Sequence, residues 1–167
     1  ASGSVLEQRL TIFAGRFLEA NEQTCPTGRI LGVEDTPFDF RAGKLIGAGL
    51  REEDDGGQLA MAHGYDHCFV LDKLPGQLAL AAKAYAYKTG ISMEVFTTQP
   101  GMQLYTANFL AQDGVNGKTG GPHADKQAFC LETQHYPCTP SHPEFPGVVL
   151  RPEEEYHETT IYRFGVE

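Results

Sequence analysis

No apolar run in this chain of 167 residues approaches the ~20 residues that a helix needs to span a bilayer, which argues against a helical membrane anchor. Clustered Lys and Arg are lacking too: 13 basic residues stand against 22 acidic ones, for a formal charge of −9. Phosphate-rich partners bind through concentrated positive charge, so neither nucleic acid nor an anionic membrane surface is an expected partner. Cysteine is scarce. The four present, Cys25, Cys68, Cys130 and Cys138, are too few for a disulfide scaffold at this length, and no C-x-x-C spacing supports a zinc or thioredoxin-like site. Cys68 and Cys130 lie in apolar, strand-like segments and are expected as small buried thiols, a pattern that fits a reducing cytoplasm. There is no G-x-S-x-G elbow for a hydrolase, no Gly-rich phosphate loop and no dinucleotide fingerprint. The N-terminus, Ala1-Ser2-Gly3-Ser4, has neither an initiator Met nor the basic-then-apolar pattern of a signal peptide. It reads as a cut site or as an interior point of a longer chain.

What is present fits one domain with a real core. Hydrophobic residues make up 41% and charged residues 21%, ordinary for a globular protein. Gly (19) and Pro (10) are spread throughout and cut the chain into short pieces, the texture of an all-β fold. The clearest strand covers residues 92–98, where Ile91, Met93 and Val95 alternate with Ser92 and Glu94. Residues 78–87 are rich in alanine, which favours helix. Lys83, Tyr85 and Tyr87 recur with period 2, however, and Lys88-Thr89-Gly90 suits a hairpin turn, so a strand is expected. Further strands are expected over 6–13, 65–71, 102–108, 128–134 and 159–166, with Pro100-Gly101 making a bulge or corner. Residues 19–50 read as an extended, loop-rich layer. The acidic clusters Glu52-Glu53-Asp54-Asp55 and Glu153-Glu154-Glu155 read as solvated turns. No repeat or linker divides the chain.

One segment stands out chemically: Phe129-Cys130-Leu131-Glu132-Thr133-Gln134-His135-Tyr136-Pro137. It sets a single carboxylate, Glu132, in an apolar and neutral stretch, where a protein can hold an acid at a raised pKa for proton transfer. Two other segments carry polar groups in the same manner: His63-Gly64-Tyr65-Asp66-His67-Cys68-Phe69, and the run Thr97-Thr98-Gln99-Pro100-Gly101-Met102-Gln103-Leu104-Tyr105-Thr106-Ala107-Asn108-Phe109. In a strand, His67 points away from Asp66, and the offset of His135 from Glu132 is odd, so neither histidine shares a face with its neighbouring acid. The pair His63-x-x-x-His67 has helical metal spacing but sits beside Gly64 in a strand pattern, and zinc is not expected. His123, His142 and His157 are expected at the surface. Asp66 and Glu132 could also serve as the two carboxylates of a glycosidase, if both stood near one glycosidic bond.

Together with Pro146-Gly147-Val148-Val149-Leu150-Arg151-Pro152 and Tyr156-His157-Glu158-Thr159-Thr160, these blocks resemble the aldose 1-epimerases, the galactose mutarotases, in family order and at family-like spacing. The Pro26-Thr27-Gly28 to Phe38-Asp39-Phe40 region matches as well. The resemblance runs from about Val5 to the C-terminus. It implies a share of a large β-sandwich, the mutarotase supersandwich, with residues 1–167 as the C-terminal portion of a single domain whose N-terminal portion lies outside this chain. It implies interconversion of α and β anomers of a hexose such as galactose or glucose, without cofactor or metal. Glu132 is then the general base, and Asp66 and Gln103 are hydroxyl ligands of the monosaccharide. Tyr105 shares the face of Gln103, for stacking or for packing. The acid that serves the ring oxygen is a histidine in family members, upstream of the segment matching Ser4-Val5-Leu6, and no histidine here matches it. The N-terminal half is therefore an expected partner. The alternative is a sugar-binding module that keeps the pocket and lacks the acid.

Overall fold

Alternation of apolar and polar side chains becomes strand here wherever one side of the segment can be buried. The computed structural model describes residues 4–51, 57–118 and 120–166. Among these, ten strands form: β1 (Arg9–Ile12), β2 (Arg16–Ala20), β3 (Pro26–Gly32), β4 (Lys44–Leu45), β5 (Asp66–Val70), β6 (Ala79–Ala86), β7 (Ile91–Thr97), β8 (Gly101–Tyr105), β9 (Cys130–Gln134) and β10 (Thr160–Val166). They make two five-stranded antiparallel sheets, in the orders β10-β7-β6-β1-β4 and β3-β2-β5-β8-β9. The expected all-β fold is the observed one. Helix is confined to short turns such as α1 (Ile46–Gly49) and α2 (Gln58–Met61).

The alanines of β6 settle its competing helix propensity. Ala81, Ala82, Ala84 and Ala86 are all buried, so the small side chains serve close packing, and tertiary context overrides propensity. The first sheet turns Leu10, Ile12, Ala82, Ala84 and Val95 inward. The second answers with Phe17, Phe69, Met102, Leu104 and Leu131, and Phe38, Phe40 and Tyr65 fill the space around them. Each fully buried Leu- or Phe-sized side chain contributes roughly 1.5–3 kcal/mol. At Thr98-Gln99-Pro100 the chain leaves β7 and enters β8 in the other sheet, the corner expected from Pro100-Gly101. A Cβ at Gly101 would stand 2.9 Å from Cys68 Sγ and 3.0 Å from the Tyr136 ring, so the corner requires glycine.

Residues 19–50 contain more order than their punctuation suggested. β2 is buried on both sides: Phe17 faces the core, while Leu18 joins Cys68, Val70, Tyr136 and Phe145 in a second cluster on the outer side of the sheet. A strand covered on both faces loses its alternation. β3 is a mostly exposed edge strand that carries Gly28 at φ +94, so its sequence resembles a loop. The acidic run at 52–55 lies outside the described residues. The second run is an exposed turn, closed by the Glu154 amide donating to Arg151 O at 3.1 Å.

β10 is unusual. Tyr162, Phe164 and Val166 sit opposite Val95, Met93 and Ile91 on the inward side of its sheet, yet they are 46%, 68% and 78% exposed. The second sheet ends at β9, which is joined to β10 by the Tyr162 hydroxyl donating to Leu131 O at 2.8 Å and by the Thr133–Thr160 hydroxyl contact at 2.6 Å.

His67 lies in the core, as its alternation from Asp66 requires. It is 1% exposed and its ring stands edge-on to Phe38 at 4.8 Å. Nδ1 accepts the Asp66 amide at 3.1 Å, and Nε2 has no partner. Burial pushes the imidazole down to about 4. The unfolded chain, with His near its ordinary 6.5, takes up this proton first as pH falls. Stability is therefore whole above about pH 6.5 and declines toward pH 4, by about 3 kcal/mol from this residue. In urea titrations of wild type and His67→Leu across that range, the variant shows the shallower loss; identical slopes would remove His67 as the cause.

Candidate active site

Asp66 is placed by a knot of buried polar groups just before β5. Asn108 Nδ2 donates to Ala62 O at 2.8 Å and to Tyr65 O at 3.0 Å, while its Oδ1 accepts from Thr106 Oγ1 at 2.7 Å and from Lys126 Nζ at 2.9 Å. Thr106 Oγ1 in turn accepts the Tyr65 amide at 3.0 Å, and the Tyr65 hydroxyl donates to Pro37 O at 2.7 Å. Gly64 passes through this knot at φ +140, where a Cβ would lie 2.4 Å from Asn108 Oδ1. No side chain fits there. The loop can deliver Asp66 to the start of β5 in one orientation because every polar group behind it is satisfied.

From there the ladders assemble the rest. β5, β8 and β9 are neighbours, and their registers pair Asp66 with Tyr105, Cys68 with Gln103, Gln103 with Glu132 and Tyr105 with Cys130. Ladder partners share a face at about 4.5–5.5 Å between Cα atoms. Asp66, Gln103 and Glu132, separated in sequence by dozens of residues, thus come together on the outer face of the second sheet. Gln103 Nε2 donates to Asp66 Oδ1 at 2.7 Å. That bond fixes the amide's orientation and leaves Gln103 Oε1 as a buried acceptor without a donor. Burial raises the Asp66 carboxyl above the usual carboxylate range, with the Gln103 bond opposing the shift.

The desolvated acid of this face is therefore Asp66. Glu132 is exposed, not seated in the apolar setting its neighbours in sequence suggested. The apolar residue beside it, Leu131, points into the core, as alternation dictates. Two further groups sense the charge of Glu132. Burial raises the thiol of Cys130, two residues back on the same face, and that charge adds to the shift. Cys130 is half-buried, not fully buried as expected. Burial raises the Tyr162 phenol, and the Glu132 charge adds to the shift. Sequence reasoning did not find Tyr162: it comes from the other sheet, and no local spacing links it to β9.

Among the described residues no histidine is hydrogen-bonded to the side chain of Asp66, Gln103 or Glu132. His63 stands edge-on to Phe109, and His157 is exposed. His123 and His142 depart from the surface expectation: both are half-buried, and His142 Nε2 stands 3.1 Å from Pro26 O and its Nδ1 3.2 Å from Glu144. No group of three or more His, Cys, Asp or Glu among the described residues could hold a metal ion.

The family model for aldose 1-epimerase matches residues 1–163. The chain belongs to the aldose 1-epimerase family. A galactose mutarotase of Rattus norvegicus is 40% identical over 166 residues, covering 99% of this chain and 46% of the relative. An aldose 1-epimerase of Escherichia coli is 34% identical over 165 residues, covering 98% and 46%. Among solved structures, a GalM/aldose epimerase homologue from C. elegans superposes with a TM-score of 0.84 at 29% identity, over 99% of this chain and 47% of that one. The chain thus spans about half the length of the aldose 1-epimerase relatives it matches. Its two sheets share their sandwich.

Proposed function

We propose that this chain is the C-terminal share of an aldose 1-epimerase that interconverts the α and β anomers of a hexose such as galactose or glucose, with Glu132 as general base and Asp66 and Gln103 as hydroxyl ligands. The observation that carries the reading is the Asp66–Gln103 pair beside Glu132 on one sheet face, with Gln103 Oε1 left as a directed acceptor. A polyol supplies the donors that such a face lacks. Two acceptors held rigidly by a mutual hydrogen bond orient a pyranose ring better than two free side chains would.

In this reading Glu132 takes the proton of the anomeric hydroxyl. The freed electron pair forms the C1 carbonyl, the C1–O5 bond breaks, and O5 takes a proton from an acid. Rotation about C1–C2 and the reverse sequence close the ring on the other face. Base and acid must therefore flank one sugar. The acid is assigned to a histidine of the upstream half, which is also the proposed partner of this chain in completing the domain. The uncovered inward side of β10 supports that assignment, as does an open cavity of about 270 Å³ lined by Ala84, Ala86, Ile91, Met93, Phe129 and Phe164. Neither cofactor nor metal enters the scheme. Scarce, unpaired-spacing cysteines keep the cytoplasm as the proposed compartment.

Asp66→Asn tests the binding face. The Gln103 amide loses its charged acceptor and the sugar loses its own, so hexose binding weakens by roughly 1–3 kcal/mol. Calorimetric titration with galactose, glucose and an apolar control reads this directly. A variant that binds hexose as well as wild type would make Asp66 purely structural.

A further inference from the structure

Cys25 and Cys138 are 113 positions apart in sequence, yet the segments that carry them pack against each other. Both residues are exposed and neither is bridged, and burial raises the Cys138 thiol with the neighbouring Cys25 thiol adding to the shift. The backbones that carry them are independently fixed. Asn21 Oδ1 accepts the amides of Gln23 and Cys25 at 3.0 and 3.1 Å, and the Asn21 amide donates to Cys25 O at 2.8 Å, closing the β2–β3 turn. Cys138 sits at φ +58 ahead of a short turn in which the Ser141 amide donates to Cys138 O at 2.9 Å and Thr139 Oγ1 donates to Tyr136 O at 2.7 Å. The two segments then meet a second time: His142 Nε2 lies 3.1 Å from Pro26 O, and a Cβ on Gly28 would fall 2.6 Å from Glu144 Oε1. The two cysteines thus sit at a packed junction between the turn after β2 and the loop after β9.

The other two cysteines mark the contrast. Cys68 is 3% exposed and burial pushes its thiol up to about 12, the behaviour of a small core side chain. Cys130 is half-buried beside Glu132. Only Cys25 and Cys138 combine a partner sulfur with open access.

We infer that Cys25 and Cys138 form a reversible disulfide with low-molecular-weight disulfides, fastening the 137–146 loop to the β2–β3 turn. One thiolate attacks the reagent's S–S bond and releases one reagent thiol, leaving a mixed disulfide on the protein. The second thiolate displaces the other half, so one protein S–S bond forms and one reagent S–S bond breaks. The two protein S–H protons end on the two released thiols. In a reducing compartment the pair stays open; under oxidation it closes across two segments that are already packed together. The bridge does not depend on the sugar reading.

The test is incubation of the protein with excess glutathione disulfide, quenching with N-ethylmaleimide, and peptide mapping without reduction. The expected product is a Cys25–Cys138 cross-linked peptide that dithiothreitol dissolves, with Cys68 and Cys130 unoxidised. Cys25→Ser and Cys138→Ser each convert the product to a single glutathione adduct on the remaining cysteine, the trapped intermediate. Hydrogen exchange over 137–146 slows several-fold in the bridged form. Recovery of Cys25 and Cys138 as two separate adducts, or unmodified, would overturn the inference, as would a bridge that leaves exchange in that loop unchanged.

Discussion

Replacing Glu132 by glutamine in the polypeptide that includes the upstream half lowers mutarotation of freshly dissolved α-D-galactose by roughly 10²–10⁴-fold, the range a positioned general base supplies. Glutamine keeps the size of the side chain and can still meet a hydroxyl, but it cannot take the anomeric proton. The proposed binding face, Asp66 with Gln103, is untouched. The loss therefore falls on kcat with KM nearly unchanged, the signature of an interaction made in the transition state. Polarimetry decides it. A variant within a few-fold of wild type would move the base elsewhere on this face, with Asp66, the carboxyl that burial raises, next in line.

Residues 1–167 expressed alone are expected to self-associate and not to accelerate mutarotation. The physical cause is visible in β10, whose Tyr162, Phe164 and Val166 face inward with no sheet to cover them. Contiguous exposed apolar surface on a sheet with open edges invites association with whatever offers a complementary face. Glu132 is an exposed residue of β9, the edge strand of the other sheet, and the proposed scheme takes its acid from the upstream half. Co-expression with the upstream region expected from the family restores both a monodisperse species on gel filtration and activity in polarimetry, because one segment supplies the sheet complement and the histidine together. A monodisperse, fully active monomer of the 167-residue chain would show that the acid lies within it.

The strands that the sequence revealed are apolar or alternating segments set between turn residues: β5 is buried on both faces, and β7 alternates in sequence from Ile91 to Thr97. The hairpin at Lys88-Thr89-Gly90 closes as its residues dictate, with the Gly90 amide donating to Ala86 O at 2.9 Å and Gly90 at φ +71. β2 and β3 stayed hidden because β2 is a short piece without alternation and β3 is a mostly exposed edge. The site was legible only through resemblance. Asp66, Gln103 and Glu132 lie on three strands whose adjacency follows from long-range ladders, and no local pattern encodes a ladder. Periodicity did separate Asp66 from His67 correctly, since alternation is local. It misjudged the surroundings of Glu132, because apolar neighbours in a strand point to the other side. Tyr162 and the half-buried His142 both depend on packing between segments distant in sequence.

The most direct measurement is a crystal structure of the polypeptide with its upstream half present and galactose bound. The anomeric hydroxyl is expected within hydrogen-bond distance of the Glu132 carboxylate, with other hydroxyls on Asp66 and one donating to Gln103 Oε1. A sugar seated away from the β5–β8–β9 face, or one that leaves Gln103 Oε1 unpartnered and Glu132 in solvent, would contradict the assignment of this face as the site of anomer interconversion.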